Sequence, residues 1–211
     1  MTESATTDPR HTHAAEVMRE AFERLTHSSP SKVQLQGLLA LAWSETRYGQ
    51  GWETPEQRAA HNWGAVQAGR PDDSGACPVG SFAHDDFRPT ASGPVRYRGC
   101  FRVYASDVDG AQDVIRIVKR HAPSWAALRS GNVRAFAKAQ YEAHYYEGTA
   151  TTVAGRIEQR VKLFGGAARV VAQGLGEPLY WRTTSAQPTR RGRLAVRVIG
   201  PLIPVILRAM K

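Results

Sequence analysis

Glu45 is the first residue in this 211-residue sequence that invites a chemical reading. Leu38, Leu41 and Ala42 precede it by seven, four and three positions, so on a helix all four share one face. Partial burial disfavours the charged form of a carboxylic acid, which suits a group that must donate a proton near neutral pH. Gly49 and Gly51 come next, ending the helix and leaving room for a substrate. The bland alternative is a solvated glutamate paired with Arg47.

The elements around Glu45 can be read from spacing. Residues 1–11 are polar and read as a disordered lead. Ala14, Val17, Met18, Ala21, Phe22 and Leu25 recur at helical intervals, predicting an amphipathic helix from Thr12 to His27. Ser28–Ser31 breaks it, and a more apolar helix follows from Lys32 to Thr46. A short helix fits within 53–60. Residues 68–94 are rich in turn formers, and Val79–Phe87 and Val95–Tyr104 are predicted to pair as a hairpin around Pro89–Pro94. Ser106 and Asp109 have the spacing of a helix start, and that helix runs to His121 before Pro123. Helices follow over 124–130 and 132–144, the second capped by Asn132. A last helix starts at Thr151 or Thr152 and is interrupted at Gly165-Gly166, with Ala167–Gln173 continuing it.

The run Leu39-Ala40-Leu41-Ala42-Trp43-Ser44-Glu45-Thr46-Arg47-Tyr48-Gly49 resembles the helix-end motif of the glucosaminidase-type branch of lysozyme-like proteins. That branch includes cell-wall autolysins, flagellar muralytic domains and phage lysins. Asn62-Trp63-Gly64-Ala65-Val66-Gln67 is similar to its Asn–aromatic–Gly segment. Phe101-Arg102-Val103-Tyr104-Ala105-Ser106, followed by Gly110, is similar to its strand-to-helix junction. Tyr145-Tyr146 falls where the family carries an active-site tyrosine. The motifs keep the family's order across residues 30–165. The resemblance implies a mainly α (α+β) lysozyme-like domain with a small β-hairpin beside a cleft, and Glu45 as general acid. Peptidoglycan glycan strands would be the substrate and no cofactor is implied.

Glycoside hydrolysis usually uses a second carboxylate, as nucleophile, base or stabiliser of the oxocarbenium ion. The family places it on the hairpin, where this sequence reads Phe82-Ala83-His84-Asp85-Asp86-Phe87. Asp85 is the first candidate and Asp86 the second; neighbours on a strand face opposite ways, so at most one enters the cleft directly. The family's usual residue there is Glu, one methylene longer. A lytic transglycosylase needs no second acid, because the substrate's own hydroxyl closes an anhydro ring. Asn62, Trp63, Tyr145 and Tyr146 are the candidate substrate-binding residues, aromatic faces being suited to the apolar faces of sugar rings. The family's second tyrosine, a few residues on, is replaced by Val153.

Composition bounds the rest. Apolar residues make up 42% of the chain, enough for a real core. The net charge of +9 is concentrated at one end: residues 182–211 hold seven Lys or Arg and no acid, leaving 21 bases against 19 acids before them. The reading is a lysozyme-like domain over 12–173, a linker over 174–187, and a basic, apolar tail over 188–211. Val198–Leu207 is apolar for ten residues but carries Gly200, Pro201 and Pro204 and is flanked by Arg197 and Arg208. A membrane span needs about 20 apolar residues, so this tail is expected to dock on a protein assembly or an anionic membrane surface.

Met1–His13 lacks the apolar core of a secretory signal, so action at the bacterial cell envelope implies non-classical delivery, as within a virion or injection apparatus. Cys77 and Cys100 are either disulfide-bonded or free. The seven histidines form no metal-binding pattern, and no metal is expected; His61 and His84 are placed to approach the cleft. Two further functions stand beside glycan cleavage. One is a non-catalytic binding or structural module on the same fold, within a phage tail or injection apparatus. The other, resting on the basic tail alone, is nucleic-acid binding, which the sequence disfavours. Muramidase, glucosaminidase and transglycosylase activities are not distinguished at this level.

Overall fold

Helix α2 (Lys32–Thr46) organises the molecule. It starts at a reciprocal cap: the Ser31 hydroxyl accepts from the Gln34 N–H, and the Gln34 side chain accepts from the Ser31 N–H. Every residue from Leu35 to Ala42 is buried, so over two turns the helix has no solvent face and must be wrapped on all sides. The computed structural model describes residues 7–90, 93–146 and 148–183. In it, α1 (Pro9–Thr26), α4 (Asp107–Arg120), α5 (Ala122–Ser130) and α7 (Val153–Gly174) pack directly on α2, and α6 (Val133–Glu142) packs on α5 and α7. The single turn α3 (Pro55–Arg58) leads toward the sheet.

The sheet has three antiparallel strands in the order β1-β3-β2. The β2 (Ser81–Thr90) and β3 (Gly93–Arg102) strands form the hairpin, longer at its tip than the sequence predicted, and the short β1 (Gln67–Gly69) adds a strand that the sequence did not signal. Phe82 pairs with Phe101 and Asp86 with Tyr97. Trp52 anchors the base of the hairpin, its ring 4.9 Å from Phe82, 5.1 Å from Phe101 and 5.1 Å from His84. Cys77 and Cys100 are disulfide-bonded, tying the preceding loop to β3 and settling the question the sequence left open.

Two sequence readings need correction. The Gly165-Gly166 pair does not interrupt the last helix; α7 is continuous over 22 residues. The intrahelical ladder tolerates glycine at modest cost when the helix is held by packing, here by Val161, Phe164, Ala168 and Val171. The stretch from Gly174, read as a linker, belongs to the body as far as Arg182. Trp181 is 2% exposed and packs against Phe164 (4.7 Å) and Phe136 (5.4 Å), and its indole N–H donates to the Val33 carbonyl. Gly37 makes this possible: a Cβ there would lie 2.2 Å from the Trp181 ring. The lead also shortens, since α1 begins at Pro9 behind an Asp8 cap and His11 is buried. The tail over 188–211, and the docking expected of it, lie outside the described residues.

Candidate active site

Glu45 sits in the last turn of α2, and the three residues after Thr46 end the helix. Arg47, Tyr48 and Gly49 take left-handed backbone conformations in succession, with φ of 50°, 60° and 81°. Thr46 ties this reversal to the next segment: its hydroxyl donates to the Trp63 carbonyl (2.8 Å) and accepts from the Gly49 N–H (2.9 Å). Asn62 closes the turn beyond it, donating to the Val66 and Arg102 carbonyls and accepting from the Val66 N–H. Gly110 lets α4 start against this turn, because a Cβ there would lie 1.9 Å from the His61 carbonyl oxygen. The three sequence motifs thus meet as one frame around the end of α2.

That frame revises the roles of two predicted substrate contacts. Asn62 is fully buried and all its hydrogen bonds go to backbone. Trp63 is 1% exposed, packs against Tyr48, and donates its indole N–H to Asp107. Neither borders the cleft. His61 and His84 do not reach it either: His61 pairs with Asp107 at 2.9 Å, and His84 is edge-on to Trp52.

The cleft itself holds about 700 Å³. Glu45 lies along it with Gly64, Gln67, Asp86, Tyr145 and Tyr146, and a second groove of about 350 Å³ shares Ile117, His144 and Tyr145 with it. The Tyr145 hydroxyl donates to the Gly64 carbonyl (3.0 Å). Burial, reinforced by the charge of Glu45, pushes that phenol well above its ordinary range, and Tyr146 shifts the same way mainly through burial. Both therefore stay protonated at any physiological pH and act as hydroxyl donors, not as bases. Tyr145 and Tyr146 are thus brought to Glu45 as the sequence placed them. Val153 is the first residue of α7 and is exposed.

Glu45 does not pair with Arg47, whose guanidinium lies 5.5 Å from the Trp43 ring. Its partner is Arg160 on α7, with Nη2 2.7 Å from Glu45 Oε1. The Arg160 side chain is 2% exposed and that of Glu45 20%. The Arg160 Nη2 group also donates to Gln140 Oε1 (2.6 Å), and the guanidinium lies 4.8 Å from the Tyr146 ring and 5.8 Å from the Tyr145 ring. The contact with Glu45 is an ion pair without the geometry of a directed hydrogen bond, and Glu45 Oε1 and Arg160 Nε are buried with no hydrogen-bond partner. The sequence reading missed Arg160. Its signal was an arginine inside the apolar stripe Ile157, Val161, Phe164, where a charge has no place unless it is paired.

The hairpin supplies the opposite wall, and there the two aspartates separate. Asp86 borders the cleft: its Oδ2 accepts from the Tyr97 hydroxyl at 3.0 Å, and Gln67 donates to the same hydroxyl. Asp85, the first candidate, points away and pairs with Arg96 at 2.6 Å. The pleat that sets the two aspartates on opposite faces puts Asp86, and not Asp85, on the cleft. Among the described residues no group of His, Cys, Asp or Glu is arranged to hold a metal ion.

No family model and no curated protein matches the chain. Among solved structures, it is similar to a peptidoglycan hydrolase from Sphingomonas sp. A1, at 20% identity over 79% of this chain and 89% of that one, with a TM-score of 0.43. A mutant of that hydrolase gives a TM-score of 0.47 at 18% identity, covering 79% of this chain and 94% of that one. The glycoside hydrolase domain of FlgJ from Salmonella typhimurium gives 0.41 at 19% identity, covering 78% and 92%. At this distance, function has to come from the residues of the site.

Chemically, the site offers one carboxyl group at the base of a cleft with a single oxygen tied to a buried cation. Two neutral phenols stand beside it, and a hydrogen-bonded carboxylate stands on the facing wall. That is an inventory for acid-assisted cleavage of a polar polymer long enough to lie along the cleft.

Proposed function

We propose that this chain cleaves the β-1,4 glycan backbone of peptidoglycan, with Glu45 as general acid. The observation that carries the reading is the placement of Glu45. It lies at the foot of the cleft, beside Tyr145 and Tyr146 and across from Asp86, on the motif whose resemblance implies that role. Glu45 protonates the glycosidic oxygen as the bond to the anomeric carbon breaks. Asp86 stabilises the positive charge that develops there or activates the attacking water. Tyr146 offers its ring face and hydroxyl to the N-acetyl sugars, while Tyr145, whose hydroxyl is held by the Gly64 carbonyl, offers its ring. Where a sugar hydroxyl replaces water as the attacking group, the product is an anhydro sugar and Asp86 is dispensable.

The reading includes action at the cell envelope, with which the Cys77–Cys100 disulfide agrees, since such bonds persist in oxidising surroundings. Delivery within a virion or injection apparatus, and docking of residues 188–211 on a protein assembly or anionic membrane, belong to the same proposal.

One observation favours the second reading, a non-catalytic module of such an apparatus: Glu45 is already engaged by Arg160. Mass spectrometry of digested peptidoglycan separates the two. Glycosidase action gives muropeptides with new reducing ends or anhydro ends, and Glu45→Gln removes them. Equal release by the wild type and Glu45→Gln would overturn the assignment. Glycan binding with no new ends would favour the module.

A further inference from the structure

The buried arginine at Glu45 goes beyond a structural ion pair. We infer that Arg160 is a positioning residue of the site, which fixes the carboxyl group of Glu45 in the cleft and offsets the charge left there when the proton is given up. This rests on the reading of Glu45 as general acid.

Two observations converge. Arg160 Nη2 lies 2.7 Å from Glu45 Oε1, and the Glu45 side chain keeps 20% of its surface exposed where it lines the cleft. The same guanidinium is fixed from two other elements. Gln140 of α6 accepts from Nη2, and the Tyr146 ring of the loop after α6 lies 4.8 Å from it. Arg160 therefore sets the position of Glu45 relative to the tyrosine wall.

On cleavage, the O–H bond of Glu45 breaks, a new O–H bond forms on the departing sugar, and the electron pair stays on Glu45. The guanidinium charge attracts the carboxylate left by proton transfer more strongly than it attracts the neutral acid. The contact is therefore worth more after proton transfer than before it, and this differential is what lowers a barrier. The proton returns to Glu45 from the water or sugar hydroxyl that captures the anomeric carbon, or, where Asp86 takes that water's proton, from solvent.

The test compares the full-length wild type with Arg160→Met, Arg160→Lys and Gln140→Leu on purified peptidoglycan, with folding checked by circular dichroism. Arg160→Met is expected to lower kcat about 100-fold, the size associated with losing one preorganised charge-stabilising group. KM should stay within about threefold, since the contact acts after binding. Arg160→Lys, which keeps the charge but not the fork, should recover about tenfold of that loss. Gln140→Leu keeps the charge, loosens its anchor, and carries the test if Arg160→Met does not fold; a smaller kcat loss at unchanged KM is expected. A folded Arg160→Met with wild-type kcat would overturn the inference, as would a lysine variant no better than the methionine one.

A second readout does not need activity. The carboxyl 13C resonance of Glu45 should move between the wild type and Arg160→Met. If the wild type releases no new glycan ends, the glycosidase reading falls. An unmoved resonance overturns the role of Arg160 whether or not the enzyme is active.

Discussion

The two walls of the cleft are built by opposite means. The Glu45 wall belongs to the helical body: α2 is buried all round from Leu35 to Ala42, and the turn after it is held by hydrogen bonds of Thr46, Asn62 and Trp63. The Asp86 wall is a hairpin held at its base by Trp52 and the disulfide, with Phe87 and Val95 exposed toward its tip. One acid stands on a rigid floor beside a buried cation. The other stands on an exposed ribbon, positioned by Tyr97 and Gln67. Geometry at the first is over-determined, whereas at the second it depends on a short chain of hydrogen bonds.

The contrast can be broken or sharpened by substitution. The largest effect is expected at the body acid: Glu45→Gln should cost about 100- to 10,000-fold in kcat, the range for a lost general acid, measured as new glycan ends per minute. Asp86→Asn should cost about tenfold or more if hydrolysis uses the facing carboxylate, while Asp85→Asn stays within about twofold. A severe Glu45→Gln defect with an active Asp86→Asn variant would instead point to anhydro products.

For stability the order is the same. Leu41→Ala, in the fully buried turn of α2, should cost about 2–5 kcal/mol by chemical denaturation. Phe87→Ala, on the exposed hairpin, should stay within about 0.5 kcal/mol. Equal costs would mean that the hairpin is as much a part of the cooperative core as α2.

The smallest effect concerns pH. His11 is buried, with its ring 2.7 Å from the Tyr48 hydroxyl, and burial lowers its pKa below the ordinary 6.5. The folded protein therefore keeps the ring neutral while the unfolded chain takes up a proton. The stability contributed by His11 is fully present above pH 6.5 and declines as pH falls through that value. His11→Asn should weaken this dependence in urea melts run between pH 7.5 and pH 5.5, conditions chosen to bracket the ordinary histidine value of about 6.5.

Much of the fold is legible in the sequence, for identifiable reasons. Helices α2 and α4 follow from apolar spacing and from caps at Ser31 and Ser106 that act locally. The hairpin follows from turn chemistry. The features that escaped depend on contacts distant in sequence. Trp181 reads as part of a linker until Gly37, far away in the chain, is seen to leave room for its ring. Asn62 and Trp63 belong to the motif by order, but their polar atoms are consumed in closing the turn, a common fate for a buried Asn beside unpaired backbone groups. The choice of Asp86 over Asp85 depends on which face of β2 meets the body, and nothing within the strand states that. Arg160 was missed although it stands as a charge inside an apolar stripe, because nothing near it in the chain names its partner.

The clasp formed by residues 178–182 has a mechanical consequence. Beyond α7 the chain crosses α2, seats Trp181 over Gly37, and exchanges backbone hydrogen bonds around Asn132 before continuing to the basic segment. A pull on residues 178–182 would be borne by α2, the same helix that carries Glu45 in its last turn, so the clasp and the cleft share one structural beam.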